Sequence, residues 1–170
     1  MNTTPTPQSV RTALFPGSFD PFTLGHAQLV ERALVLFDRI VIAIGCNDQK
    51  RGCIPVDERV TALQALYHDE PRIQVVSYNT LTVQLARQMG ATAILRGVRN
   101  TADFLYEQEI AEMNRQLTGI ETVLLFTQPE LAHVSSSMVR ELARYGQDIT
   151  PFLPKGLSYE SLTKKSDTEK

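Results

Sequence analysis

The sequence predicts an α/β fold: a doubly wound, five-stranded parallel sheet in a single domain. Three observations predict it. From Arg11 onward, apolar runs of strand length alternate with amphipathic stretches of helical length. The run at residues 40–45, IVIAIG, is continuously apolar, which suits a strand covered on both faces. Residue types suited to phosphate chemistry follow the first, second, fourth and fifth runs, and open sheets bind ligands beyond the carboxyl ends of their strands. With 170 residues, 42% hydrophobic and 21% charged, the chain can bury one core.

Each element has its own signal. Residues 12–15 form a short apolar strand broken by Pro16-Gly17. Over 24–37, Leu29, Val30, Ala33, Leu34 and Phe37 recur at helical spacing. After strand 40–45 comes a polar loop, and Pro55 opens a helix whose apolar face is Val60, Leu63, Leu66 and Tyr67. Residues 73–76 are a third strand and 81–89 a helix closed by Gly90. Residues 93–95 are a fourth strand, ending in Arg96-Gly97. A helix at 102–117, a strand at 122–126 and a helix at 137–145, ended by Gly146, complete the alternation, with a short helix after Pro154. The architecture is Rossmann-like. Residues 1–10, rich in Thr and Pro, are expected to be a disordered extension, 11–163 the folded domain, and 164–170 a polar tail.

Composition narrows the function. A net charge of -2 disfavours a general nucleic-acid or membrane-surface binder, so any polyanion site must be a local basic cluster. No apolar run reaches the length of a membrane span, and no secretory leader pattern opens the chain. Cys46 and Cys53 match neither a redox nor a zinc spacing and read as free thiols of a cytoplasmic protein.

Four clusters carry chemistry. The first is F-P-G-S-F-D-P-F-T-L-G-H, Phe15 to His26. A strand runs into a glycine turn and a helix start, where amides and the helix dipole favour a phosphate. Gly17 and Gly25 would admit that phosphate to the backbone, and His26 could donate a hydrogen bond to it. A lone histidine there would be an ordinary surface residue; its place after this turn argues otherwise. Neither a Walker loop nor a G-x-G-x-x-G fingerprint is present. The second cluster is Asn47-Asp-Gln-Lys50-Arg51, at the end of the central strand. The third is Arg96-Gly97-Val98-Arg99, followed by Asp103-Phe-Leu-Tyr-Glu107. Guanidinium groups leaving a buried strand suit bidentate phosphate binding better than core packing. The fourth is Val134-Ser135-Ser136-Ser137 at a helix start. One serine serves as an N-cap, and the group offers hydroxyls and amides to a polyphosphate.

Together these blocks resemble the T/H-x-G-H nucleotidyltransferase superfamily, and P-G-S-F-D-P-F-T-L-G-H with R-G-V-R is similar to the bacterial phosphopantetheine adenylyltransferases. The resemblance covers roughly Arg11 to Pro154. It implies ATP and 4′-phosphopantetheine as substrates, and dephospho-coenzyme A and pyrophosphate as products. By its motifs, His26, Lys50 and Ser18 are the catalytic residues. ATP is held by Ser18, Phe19, His26, Gly97, Val98, Arg99, Glu107 and the segment Leu131, Ala132, His133, Val134, Ser135, Ser136 and Ser137. The acceptor is held by Ser18, Lys50, Thr82, Arg96 and Asn114. Most members carry Thr where this chain has Ser18, and aromatics where it has Leu131-Ala132-His133. The resemblance also implies Mg²⁺ carried with ATP rather than in a protein cage, a homohexamer, and feedback by coenzyme A. Two rivals stay open: another small-molecule nucleotidyltransferase, such as a nicotinate-mononucleotide adenylyltransferase, and a non-catalytic nucleotide-binding module.

Overall fold

In the computed structural model, residues 10–46 and 52–163 are described. The expected extension and tail fall almost wholly outside them, and so does Lys50. The elements alternate as the pattern predicts: β1 (Thr12–Gly17), α1 (Leu24–Leu36), β2 (Arg39–Gly45), α2 (Val56–Leu66), β3 (Ile73–Tyr78), α3 (Thr82–Gln88), β4 (Ala93–Val98), α4 (Thr101–Thr118), β5 (Glu121–Phe126), α5 (Ser136–Arg144) and the short α6 (Glu160–Thr163). The sheet order is β3-β2-β1-β4-β5, and every pairing is parallel. The chain reverses its winding between β1 and β4, and that switch point is where a crevice opens in such sheets.

The register shows how it opens. β1 pairs with β2 along its whole length, from Thr12↔Arg39 to Gly17↔Ile44. It pairs with β4 only at Ala13↔Ala93 and Leu14↔Ile94. Beyond those pairs the two central strands part. Pro16 is tolerated in β1 because its missing N–H falls where the ladder has ended. β4 continues past the expected end at Leu95, since Arg96, Gly97 and Val98 pair with Leu124, Leu125 and Phe126 of β5.

The two faces are unequal. One carries the larger core: Phe15, Ile40, Ile42, Ile44 and Leu95 of the sheet against Leu29, Val30 and Ala33 of α1, Leu63 of α2 and Val139 of α5. The C-terminal segment joins it through Leu153, Leu157 and Tyr159, and the Tyr159 hydroxyl accepts the N–H of Phe22 at 3.3 Å. The other face packs Leu14, Val41, Ala43 and Ile94 against Val83, Leu85 and Ala86 of α3. There α4 is inverted. Its buried residues are the polar Glu107 and Asn114, while Leu105, Met113 and Leu117 are exposed. A surface helix ordinarily buries its apolar stripe.

Candidate active site

The β1 edge of the crevice is set by packing. Phe19, with a left-handed φ of 47°, turns its ring inward, where it lies edge-on to Phe15 and to His26 at centroid distances of 5.2 and 5.1 Å. A Cβ on Gly17 would meet that ring at 2.8 Å, so the glycine is required by Phe19. Gly25 differs: a Cβ there would meet nothing closer than 3.7 Å, which leaves its space to the crevice. Below the turn, the Asp20 carboxylate accepts the N–H groups of Cys53 and Ile54, each at 2.9 Å. Buried Arg59 donates to the carbonyls of Ile54, at 3.0 Å, and Ser18. The loop that carries Ser18 is thereby pinned to the segment entering α2.

His26 is the third residue of α1, and it completes a reciprocal capping box with buried Thr23. The Thr23 backbone N–H donates to His26 Nδ1 at 3.0 Å. With Nδ1 accepting, the neutral ring carries its proton on Nε2, which leaves Nε2–H as the donor. Burial, and then the charges of Arg99 and Arg96, lower the imidazole from its ordinary value to about 4. The neutral donor form therefore persists through the physiological range. His26 lines the crevice and is half-buried beside Phe15, Phe19 and Phe22, because the turn folds three aromatic rings around it.

The β4 edge is set by charge. Arg96 lies in the strand, and Glu107 of α4 holds it bidentately, Nε to Oε2 at 2.7 Å and Nη2 to Oε1 at 2.5 Å. Its Nη1 donates to the Pro16 carbonyl at 2.8 Å, bridging the gap where β1 and β4 stop pairing. Arg99 reaches Asp103 in the first turn of α4, Nε to Oδ2 at 2.8 Å. Between them, Gly97 lets α1 approach, since a Cβ would meet Leu29 Cδ1 at 2.3 Å.

α5 closes the third side. Ser135 caps it by accepting the N–H of Met138 at 3.1 Å. The Ser136 hydroxyl donates to the Pro21 carbonyl at 2.8 Å. Arg140 donates to the Asp20 carbonyl at 2.6 Å and to the Ser137 hydroxyl at 3.0 Å.

These parts enclose a crevice of about 420 Å³. It brings together Ser18, Phe19, His26, Arg96, Gly97, Arg99, Glu107, Val134, Ser135, Ser136 and Ser137 of the expected residues. Phe19 is only 2% exposed, so its ring serves packing. The other expected residues lie off this crevice. Val98 is buried. Leu131 packs against the core, with Ala132 half-buried beside it and His133 exposed. Thr82 bonds Tyr78 at 2.9 Å beyond β3, and Asn114 bonds Thr122 at 3.2 Å. The lining also includes polar residues to which the sequence assigns no role of their own, among them Arg140, Tyr106, Asp103 and Thr23. Arg140 follows Ser137 by one helical turn, and that spacing is the signal that could have found it.

Comparison with known proteins gives a concordant answer. Residues 14–142 match the Cytidylyltransferase-like family model. The phosphopantetheine adenylyltransferase of Phocaeicola vulgatus is 50% identical over 151 residues, covering 89% of this chain and all of that protein. That of Bacteroides fragilis is 53% identical over 148 residues, 87% of this chain and 99% of its own. That of Porphyromonas gingivalis is 51% identical over 144 residues, covering 85% and 94%. The chain belongs to the phosphopantetheine adenylyltransferase family. The crevice presents hydrogen-bond donors and positive charge from His26, Arg96, Arg99 and Arg140.

Proposed function

We infer that this chain transfers the adenylyl group of ATP to 4′-phosphopantetheine, forming dephospho-coenzyme A and pyrophosphate. One observation carries the reading beyond family membership. The switch-point crevice converges a neutral histidine donor, Arg96 within β4, Arg99 just beyond it and the N-terminus of α5 on one space. The acceptor phosphate is already an anion, so in-line attack on the α-phosphorus needs no strong base. Catalysis rests on alignment and on stabilising charge in the pentavalent state.

In this reading, Arg96 holds the acceptor phosphate beside Ser18, and Lys50, outside the described residues, keeps the phosphate-holding role that the family resemblance gives it. Arg99 takes ATP phosphates. His26 Nε2–H meets the α-phosphoryl oxygen as charge grows. The α5 amides, Ser135 to Ser137 and Arg140 receive the β and γ phosphates and then the leaving pyrophosphate. The nucleotide enters as its magnesium complex, the ion held by phosphates and water. The crevice carboxylates Asp103 and Glu107 are engaged by Arg99 and Arg96, which fits a metal that comes as part of the substrate. Thr82 and Asn114 lie apart from the phosphate crevice, and they would serve the far end of the acceptor.

The outward apolar face of α4, Leu105, Met113 and Leu117, supports assembly through the helices near β4 and β5, and a homohexamer is the arrangement we propose. Coenzyme A shares the product's framework and would bind the same crevice as a feedback ligand. Free Cys46 and Cys53 suit a reducing cytoplasm, and no helix among the described residues is long and apolar enough to cross a membrane.

The test is turnover. Purified protein with MgATP and 4′-phosphopantetheine should release pyrophosphate and form dephospho-coenzyme A, with nicotinate mononucleotide inert. The reverse preference would make it a nicotinate-mononucleotide enzyme, and tight ATP binding without turnover on either acceptor would make it a binding module.

A further inference from the structure

The turn between β1 and α1 has its backbone polar groups taken by side chains from far along the chain. Arg96 of β4 donates to the Pro16 carbonyl at 2.8 Å, and Arg59 of α2 donates to that of Ser18. From α5, Arg140 donates to the Asp20 carbonyl at 2.6 Å and Ser136 to that of Pro21 at 2.8 Å. The C-terminal segment adds one more tie. Leu153, Leu157 and Tyr159 anchor that segment in the core, and Tyr159 is only 1% exposed. Its hydroxyl accepts the N–H of Phe22 at 3.3 Å, across 137 residues. A phenyl ring would fill the same space; what the oxygen adds at the turn is an acceptor for the Phe22 amide. Burial pushes the phenol up to about 12, so it stays neutral through the working range. Phe22 adjoins the group that orients His26. Its ring lies 5.3 Å from the imidazole and 6.2 Å from the ring of Tyr67. The next residue, Thr23, gives its N–H to His26 Nδ1 at 3.0 Å.

We propose that Tyr159 is a positioning residue for adenylyl transfer: by holding the Phe22 amide it fixes the backbone of Thr23, whose N–H sets the ring of His26 and aims Nε2–H into the crevice. This rests on the assignment of His26 to the α-phosphoryl oxygen. Tyr159 itself lies outside the crevice lining, as does the whole C-terminal segment among the described residues. It therefore acts through the turn and not on the substrates. The physical argument is alignment. A donor that meets charge only in the transition state is sensitive to its placement, and a displacement of about 1 Å can cost about 10²-fold in rate. A buried Phe22 N–H left without its acceptor would be costly, so the turn would shift to find another. The segment after α5 thereby belongs to the machinery of the site without touching it.

The test is a double-mutant cycle in the full chain, with Tyr159→Phe, His26→Asn and the two combined. Single-turnover transfer with both substrates saturating should fall about tenfold in Tyr159→Phe, while KM for MgATP and for 4′-phosphopantetheine stays within about twofold of wild type. In the His26→Asn background the same change should cost less than about twofold, because the oriented donor is already gone. Unchanged transfer with a lowered melting temperature would make the hydroxyl purely structural and overturn the proposal. So would a fall that multiplies in full with that of His26→Asn, or one that shows in KM alone. Should Tyr159→Phe not fold, 4-fluorophenylalanine at position 159 fills the hydroxyl's place with a poor acceptor, and the same results are expected. A wild type inert toward 4′-phosphopantetheine would count against the functional reading instead. The ¹⁵N resonance of His26 Nδ1 in the free protein would then still decide. With the Thr23 bond loosened, Tyr159→Phe should move it toward that of an unbonded ring nitrogen, and an unmoved resonance would overturn the proposal.

Discussion

The two edges of the crevice are built by different physics. The β1 edge, from Phe15 to Leu29, is held by rings and buried hydrogen bonds: Phe15, Phe19 and Phe22 around His26, with Asp20 and Arg59 beneath the turn. The β4 edge, from Arg96 to Glu107, is held by ion pairs and has no aromatic packed behind it among the described contacts. Packing places one donor in one orientation. Ion pairs hold guanidinium charge at the rim with N–H groups left over for a phosphate. The first arrangement suits a group that acts only in the transition state, and the second suits groups that capture substrates.

Replacing the packed donor His26 should therefore fall on kcat, and replacing the arginines of the second edge on binding. The largest effect is expected at His26. Asn can keep the acceptor for the Thr23 N–H but has no donor where Nε2 stood. His26→Asn should lower single-turnover transfer by about 10²–10³ while nucleotide affinity and thermal melting change little. Near-normal transfer would remove His26 from the chemistry.

Arg96→Ala comes next. It should weaken 4′-phosphopantetheine binding by about 1.5–3 kcal/mol and leave ATP binding nearly intact. It also strands buried Glu107, so melting should fall, and adding Glu107→Gln should restore part of that loss. Weakened ATP binding with normal acceptor binding would mean that Arg96 and Arg99 have exchanged roles.

A glycine pair sharpens the contrast within the first edge. Gly17→Ala drives a methyl into the Phe19 ring and should cost about 1–3 kcal/mol of stability in denaturant unfolding. Gly25→Ala meets only ordinary contacts in the first turn of α1, so stability should hold or rise by up to about 1 kcal/mol while ATP binding weakens. Equal destabilisation of both would show that the space at Gly25 is not reserved for ligand.

The smallest expected effect is on pH. His26 has a folded value of about 4, below its ordinary 6.5. Between those values the unfolded chain binds the extra proton, so this residue's contribution is complete above about 6.5 and is lost as the pH falls toward 4. NMR titration of the free protein should find one imidazole still neutral at pH 5 and absent from the spectrum of His26→Asn.

Much of this was legible in the sequence, for local reasons. Strand and helix periods set the order of elements, and the motif after β1 put His26 at the start of α1. What escaped was non-local. No pattern announces that β1 and β4 part after Leu14, or that β4 runs on past Leu95 through Arg96 to Val98 by pairing with β5. The Arg96–Glu107 pair joins residues 11 apart across a strand-to-helix turn, and only the packed turn reveals which oxygen faces which nitrogen. Gly17 looked like a phosphate cradle because the direction of the Phe19 ring depends on a left-handed φ that no pattern specifies. Tyr159 joined the core from a polar stretch, because its hydroxyl finds the Phe22 amide 137 residues away.

The central claim is that an oxygen of the acceptor phosphate attacks the α-phosphorus of ATP and pyrophosphate leaves. It is tested most directly with 4′-phosphopantetheine carrying ¹⁸O in its phosphate, followed by mass spectrometry and ³¹P NMR of the products. The account predicts all of the label in dephospho-coenzyme A, one labelled oxygen bridging the two phosphorus atoms, and none in pyrophosphate. Label in pyrophosphate, or ADP in place of pyrophosphate as the leaving product, would contradict it.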